Sequence, residues 1–453
     1  FSYDYEGKYL IEFNGRYDAH SKFPKDIRWA FFPSVSAGWN IAKENFWPVS
    51  QISYFKLRGS YASLGDHGLG NYVYLPTLGT EIGGDEEIIL GGNKAPIVTM
   101  PGLVSSNLTW AKPRTLGFGV DASAFKNRLE LTYDWYQRTT HDLAGPAEPL
   151  PETLGTNPPK ENNSVTETRG WEFSAKWRDR GFNLLGKPVN YTIHARVSDY
   201  VGYVVEYEQN VNGARGSWTP GEVFGKLYVY ESNGIAQNID DVKNNVPQGN
   251  DWYYPGDLML VDKNGDGQVN EGEGGFWYAQ GDRVEAGYDY PRYRYGANIG
   301  LDWNGFDLSV LLDGVGHWKI YEKQQYVFGS GHSIWHTTWY DDHEKLGTWT
   351  PDNPDAFYPR FYLKRKNTDR ANEQYLQNLA HLRIKNLRVG YNFPQRFLNK
   401  LRLNKLYMYS SIENLGFIYY KSFIKYDPEI LDNKGGQGYP PQRVISFGIN
   451  IGI

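Results

Sequence analysis

Apolar and polar residues alternate with a period of two along most of this chain. In "KYLIEFNGRY", Tyr9, Ile11, Phe13 and Tyr17 alternate with Glu12, Asn14 and Arg16. In "FKLRGSY", Phe55, Leu57 and Tyr61 alternate with Lys56, Arg58 and Ser60. "RLELTYDWY" sets Leu129, Leu131, Tyr133 and Trp135 against Glu130, Thr132 and Asp134, and "GWEFSAKW" sets Trp171, Phe173 and Trp177 against Glu172, Ser174 and Lys176. The pattern recurs near 116–123, 191–198, 293–301, 306–312, 387–393, 406–412 and 445–453. Such alternation turns successive side chains to opposite faces of a strand, and it predicts about a dozen strands of about ten residues each.

Two architectures satisfy that pattern. A soluble sandwich hides the apolar face in a core, whereas a transmembrane barrel turns it to lipid and keeps a polar interior. Strands of about 9–11 residues match a tilted bilayer crossing. Tyr17, Trp39, Trp135, Trp177 and Trp303 stand at strand ends, where an interfacial aromatic girdle belongs. Connections also differ in length: 125–128 and 302–307 are short, while 63–113, 139–168, 201–290 and 314–380 are long. Short periplasmic turns and long extracellular loops produce that asymmetry, and a soluble sandwich rarely carries four such loops. The expectation is an all-β, antiparallel transmembrane barrel portion.

Composition narrows the function. The 453 residues carry a net charge of −5, which gives no nucleic-acid footprint, and they include no cysteine, which removes disulfide and thiolate chemistry. Aromatics make up 16% and glycines number 50, a mix suited to strands and turns. No run of about 18 apolar residues forms a membrane helix. The start, "FSYDYEGKYL", lacks the features of a signal peptide, and the chain is expected to be a piece of something longer.

One stretch carries metal-like spacing. In "VDKNGDGQVNEGEGG", Asp262, Asn264, Asp266, Gly267 and Glu273 fill the pattern D-x-[DN]-x-[DN]-G-x5-E. Calcium wants six to eight oxygens, supplied here by alternate side chains and by the backbone carbonyl of Gln268. The alternative is an Asp/Asn/Gly-rich turn without metal. The flanks show no amphipathic helix, so a calcium staple within a loop is expected rather than an EF-hand. That staple would hold a loop with no core of its own.

Other chemistry is sparse. His332, His336 and His343 with Asp341 and Asp342 lack the glutamate that a zincin helix needs, and "DGVGHWK" lacks the third glycine of a dinucleotide loop. An enzyme is not expected. The long loops are rich in aromatics, including Trp252, Tyr253, Tyr254, Phe276, Trp277, Tyr278, Trp335, Trp339 and Trp349. They read either as a stacking platform for a ligand or as loop packing and interfacial belt.

The strand texts resemble the C-terminal part of SusC/RagA-type TonB-dependent outer-membrane transporters of Bacteroidetes. The resemblance runs through "FFPSVSAGWNIAKENFW", "NLTWAKPRTLGFGVDASAFKNRLELTYDWYQRTTHDL", "VTETRGWEFSAKW", "GDRVEAGYDYPRYRYGANIGLDWNGFDLSVLLDGVG", "HLRIKNLRVGYNFP" and "YPPQRVISFGINIGI". It implies roughly half of a 22-stranded barrel spanning residues 1–453. The plug domain and N-terminal strands would lie outside this chain, with 201–290 an extracellular loop. It implies import of oligosaccharides, or peptides, in the outer membrane. A SusD-like surface lipoprotein would act as lid, and TonB would act through the absent region. Glu12, Arg16, Lys56, Arg58, Asp121 and Glu130 would line the lumen or contact the plug.

Two departures from the family text stand out. "EGEGGFWYAQG" separates the acidic loop from its "DR" pair, so Glu273 and Asp282 compete as last metal ligand. The end, "FGINIGI", lacks the usual terminal aromatic. A non-transporting subunit of an outer-membrane complex, or a soluble carbohydrate-binding protein, remains the alternative.

Overall fold

The computed structural model describes residues 1–81, 89–90, 93–94, 97–99, 101–148, 150–154, 156–208, 218–248, 253–272, 281–321, 346–360, 370–423, 426–434 and 438–453. Thirteen of its strands form one sheet. They are β1 (Ser2–Tyr5), β2 (Tyr9–Ala19), β3 (Trp29–Asn40), β4 (Ile52–Ser63), β5 (Lys112–Ala124), β6 (Leu129–Pro146) and β7 (Lys160–Leu184). The sheet continues with β8 (Lys187–Glu206), β9 (Arg292–Trp303), β10 (Phe306–His317), β11 (His381–Asn392), β12 (Lys405–Tyr420) and β13 (Val444–Gly452). Every neighbour is antiparallel and consecutive, with β1 and β13 as open edges.

The connections alternate between two ends, and the longest all fall at one of them. At one end lie 6–8, 41–51, 125–128, 185–186, 304–305 and 393–404; at the other lie 20–28, 64–111, 147–159, 207–291, 318–380 and 421–443. The second end carries the longest connections, the ones that a transmembrane barrel of this kind would turn outward. The tightest turn shows its chemistry: Asn304 and Gly305 have φ of 48° and 91°, the paired positive values of a two-residue hairpin that Asn-Gly tolerates.

Strand length departs from the expectation of about ten residues. β6, β7 and β8 run 18, 25 and 20 residues, beyond the 9–11 that a crossing needs, so they continue past the hydrocarbon. The expected loop 139–168 is therefore mostly strand, reduced to 147–159. The polar residues Thr139, Thr140 and Thr166–Thr168 obscure the pattern there, because a strand wet on both faces does not alternate.

The two faces differ as the alternation dictates. Ile11, Phe13, Phe118, Ile445 and Ile449 stay exposed on the outer face, with Phe118 at 54%. Aromatic pairs stack on that face, such as Tyr17 on Trp29 at 5.1 Å and Phe118 on Trp135 at 6.0 Å. A face of this composition in water would be a very large apolar patch, whereas in lipid it is satisfied.

The buried core lies mostly above the sheet. Tyr230, Leu258, Leu260, Val269, Tyr358 and Tyr375, drawn from 207–291 and 318–380, pack into one cluster. Phe423 and Tyr426 from 421–443 pack against it. The long loops thus share a core, and the expected coreless loop is overturned. Sequence periodicity missed it because these apolar residues arrive in isolated short runs from three separate segments. Small sheets, Lys226–Tyr230 with Arg283–Tyr288 and Ser232–Ile235 with Leu258–Leu260, frame it.

Candidate functional site

Two surfaces carry the chemistry: the inner wall of the sheet and the loop body above it. On the inner wall, register places polar residues in rows that cross strands. One row runs Gly38, Arg58, Gly119, Asp134, Glu172, Ser198 and Arg294. Arg58 bonds Asp121 at 2.7 Å and Asp134 at 2.9 Å, uniting three strands. The glycines beside it make room, since a Cβ at Gly119 would stand 2.7 Å from the Arg58 guanidinium. Nearer the turns, Glu130 pairs with Arg178 and with Lys176. Arg58, Lys56, Asp121 and Glu130 thus occupy the polar face that the alternation gives them.

At the end with the long connections, the wall and the loop body each hold a buried ion pair. Arg292 at the start of β9 makes two bonds to Asp199 of β8, at 2.6 and 2.7 Å, with both side chains under a tenth exposed. Tyr288, Tyr290 and Tyr293 surround that guanidinium, the nearest ring centroid at 4.8 Å. On the loop body, Asp257 is fully buried and holds Arg360 at 3.1 Å, and Arg360 lies over the Tyr254 ring at 5.0 Å. Burial pushes the Tyr230 hydroxyl up to about 12. None of these pairs has a sequence signal, because the partners stand about 90–100 residues apart.

The calcium-like stretch folds as a turn seated in this body. Asp262 accepts the N–H groups of Gly265 at 2.7 Å and Gly267 at 2.9 Å. Asn264 accepts from Asp266 N–H at 2.9 Å, and Asp266 from Gln268 N–H at 2.9 Å. The Asn264 amide and the Gln268 N–H hold the Asp266 carboxyl below its usual range. Val269 points into the core and is fully buried. Asp282 is also fully buried, and its oxygens accept the N–H groups of Lys263 (2.8 Å), Asn264 (3.2 Å) and Asn270 (2.8 Å).

The donor set Asp262, Asn264, Asp266 and the Gln268 carbonyl is all oxygen, as a hard cation requires. Among the described residues, no group of three or more His, Cys, Asp or Glu is placed to hold a metal. Such a site would therefore depend on the Asn264 amide and on backbone oxygen. Glu273 lies outside the described residues, as do Trp252, Phe276, Trp277, Tyr278, Trp335, Trp339, His332, His336, His343, Asp341 and Asp342. Tyr254 is exposed, at 43%. Trp349 is 8% exposed and donates its ring N–H to Gln237 at 2.9 Å, so of the two readings it takes the loop-packing one.

The profile described as "TonB dependent receptor-like, beta-barrel" matches residues 1–260. The chain belongs to that family. It forms part of an outer-membrane β-barrel of the TonB-dependent receptor kind. TonB-dependent receptor P3 of Formosa agariphila is 27% identical over 99% of this chain and 44% of the relative. TonB-dependent receptor SusC of Bacteroides thetaiotaomicron is 25% identical over 99% of this chain and 43% of that protein. The chain thus spans less than half the length of the curated relatives it matches. The solved RagAB peptide transporter superposes with a TM-score of 0.73 at 21% identity, covering the whole chain and 47% of that structure. Such distant identity speaks to the fold, and it agrees with an open thirteen-stranded sheet as part of a larger barrel.

Proposed function

We propose that this chain forms the C-terminal wall and extracellular loop body of a TonB-dependent importer for oligosaccharides or peptides. The carrying observation is the division of one sheet into a lipid-suited outer face and an ion-paired inner face, crowned on one end only by a packed loop body. Further strands from the longer protein would pair with β1 and β13, since unpaired edges in hydrocarbon cost several kcal/mol per group. A SusD-like lipoprotein would cover the loop body, and TonB would act through a plug outside this chain. Deletion of the full-length gene tests the reading. Growth on one class of oligosaccharide or peptide should fail and return on complementation, and a surface lipoprotein should co-purify in detergent. Unchanged growth across both classes, with no lipoprotein bound, would refute it.

A calcium ion in the turn belongs to the same proposal. Asp262, Asn264, Asp266 and Gln268 would hold it, with Glu273 or Asp282 completing the set, and it would supply charge to staple the loop. The aromatic residues around Tyr253 and Tyr254 would offer stacking faces to the ligand, together with Trp252, Trp277, Trp335 and Trp339.

A further inference from the structure

Residues 426–434, between β12 and β13, do not stand out from the wall; they fold back against the lumen side. Arg383 of β11 fixes the geometry. Cross-strand pairing carries its row from Arg383 to Asp313, Gly296, Arg196, Ser174, Thr132 and Asp121, and Asp121 is the inner-face partner of Arg58. Arg383 therefore faces the lumen, yet it is only 6% exposed. The loop covers it. Its guanidinium contacts Asp313 of β10 at 3.3 Å, Asp427 of the loop at 3.4 Å, and Glu429 of the loop. Lys385 also reaches Glu429, at 3.7 Å.

A second, apolar contact places the same segment independently. Leu431 is 3% exposed and packs with Val315, Trp318 and Leu379. Val315 lies two residues along β10 from Asp313 and so shares its inner face. The short helix Pro428–Lys434 is thus seated inside the wall by one ion cluster and one apolar knob. Two cations against three carboxylates leave no unpaired positive charge in a covered place, which is the condition for burying an arginine.

We propose that residues 426–431 form a fixed ledge narrowing the extracellular mouth, and that Arg383 is the positioning residue that seats it and so sets the size of solute admitted. This rests on the importer reading, but its test needs no knowledge of the substrate. A ledge held on the wall takes cross-section from the opening. Release of Asp427 and Glu429 would free the helix from the wall.

The chain contains no cysteine, which allows direct probing. The full-length transporter, with any cysteine outside this chain replaced, receives single thiols in intact cells. Leu431→Cys reports whether the ledge is seated. Asn298→Cys, on the inner face of β9 two residues periplasmic of Gly296, reports what passes the mouth. The probes are a small maleimide and polyethylene-glycol maleimides of increasing size.

With Arg383 present, the ledge thiol of Leu431→Cys should stay unreactive, and the wall thiol of Asn298→Cys should react with small reagents only. In Arg383→Gln, labelling of the ledge thiol should rise by about tenfold or more as its local opening becomes easier. The wall thiol should then accept the larger reagents. The pair Asp427→Asn with Glu429→Gln removes both loop charges that hold Arg383 and should act in the same direction, which covers failure of the Arg383 variant to insert. A ledge thiol that stays protected in both backgrounds overturns Arg383 as the latch. A released ledge thiol with an unchanged size profile at the wall thiol overturns the ledge as the size limit.

Discussion

Replacing Asp282 by alanine tests how the calcium-like turn keeps its shape. The carboxylate is fully buried and accepts three backbone N–H groups, from Lys263, Asn264 and Asn270. A hydrogen bond to a charged group contributes ~1.5–3 kcal/mol, and loss of the acceptor strands the donors. Lys263 and Asn264 are exposed residues, so water replaces much of their loss, while the half-buried Asn270 N–H bears most of it. The net cost is about 3 kcal/mol. That is roughly a 150-fold larger opening constant for the turn. Hydrogen–deuterium exchange of the 263–270 amides in detergent-purified protein reads it directly. Asp282→Asn should fall between, because it keeps one acceptor oxygen but turns an amide toward Asn270 N–H. Calcium separates the causes. An ion at ten times its dissociation constant slows opening of the intact turn by about 1.4 kcal/mol. If Asp282→Ala leaves exchange within about threefold of the parent, the buried carboxylate does not organise the turn and the reasoning fails.

Arg292→Met should destabilise the folded barrel by about 3–5 kcal/mol by leaving Asp199 buried and unpaired, seen as a lower urea midpoint of heat-modifiable mobility. The double variant Asp199→Leu with Arg292→Met should recover most of that loss. Leu258→Ala, at a fully buried core position, should cost about 2–5 kcal/mol within the loop body. Proteolysis should then appear within 218–248 and 253–272 while the barrel stays folded. Arg383 beside Glu429 holds that carboxyl below its usual range. A carboxylate with a depressed folded value stabilises fully above its unfolded value and loses that contribution as pH falls through the folded one. Thiol labelling at Leu431→Cys, divided by that of an exposed control thiol because the thiolate fraction itself falls with pH, should therefore stay flat from neutral pH to about 5 and rise only below the ordinary glutamate range near 4.3.

The wall was legible in the sequence because its information is local. A sheet with two different solvents on its faces must alternate, and residues 9–17, 55–61, 129–135 and 171–177 carry that alternation without help from distant residues. Connection lengths likewise assign the ends, and D-x-N-x-D-G announces its own turn. The loop body was not legible. Tyr230, Leu258, Tyr358 and Tyr375 become a core only when two long connections meet, and no short window contains that meeting. The same holds for Arg292 with Asp199, for Arg360 with Asp257, and for Arg383 with Asp313, Asp427 and Glu429. Sequence alone determined which face a residue takes in the regular stretches, since the pleat fixes that two residues at a time, whereas the bulge at Lys385 resets it and turns Arg383 inward. Only the tertiary structure decided which charges are buried and what they hold, because burial is a property of the segments that close over a residue.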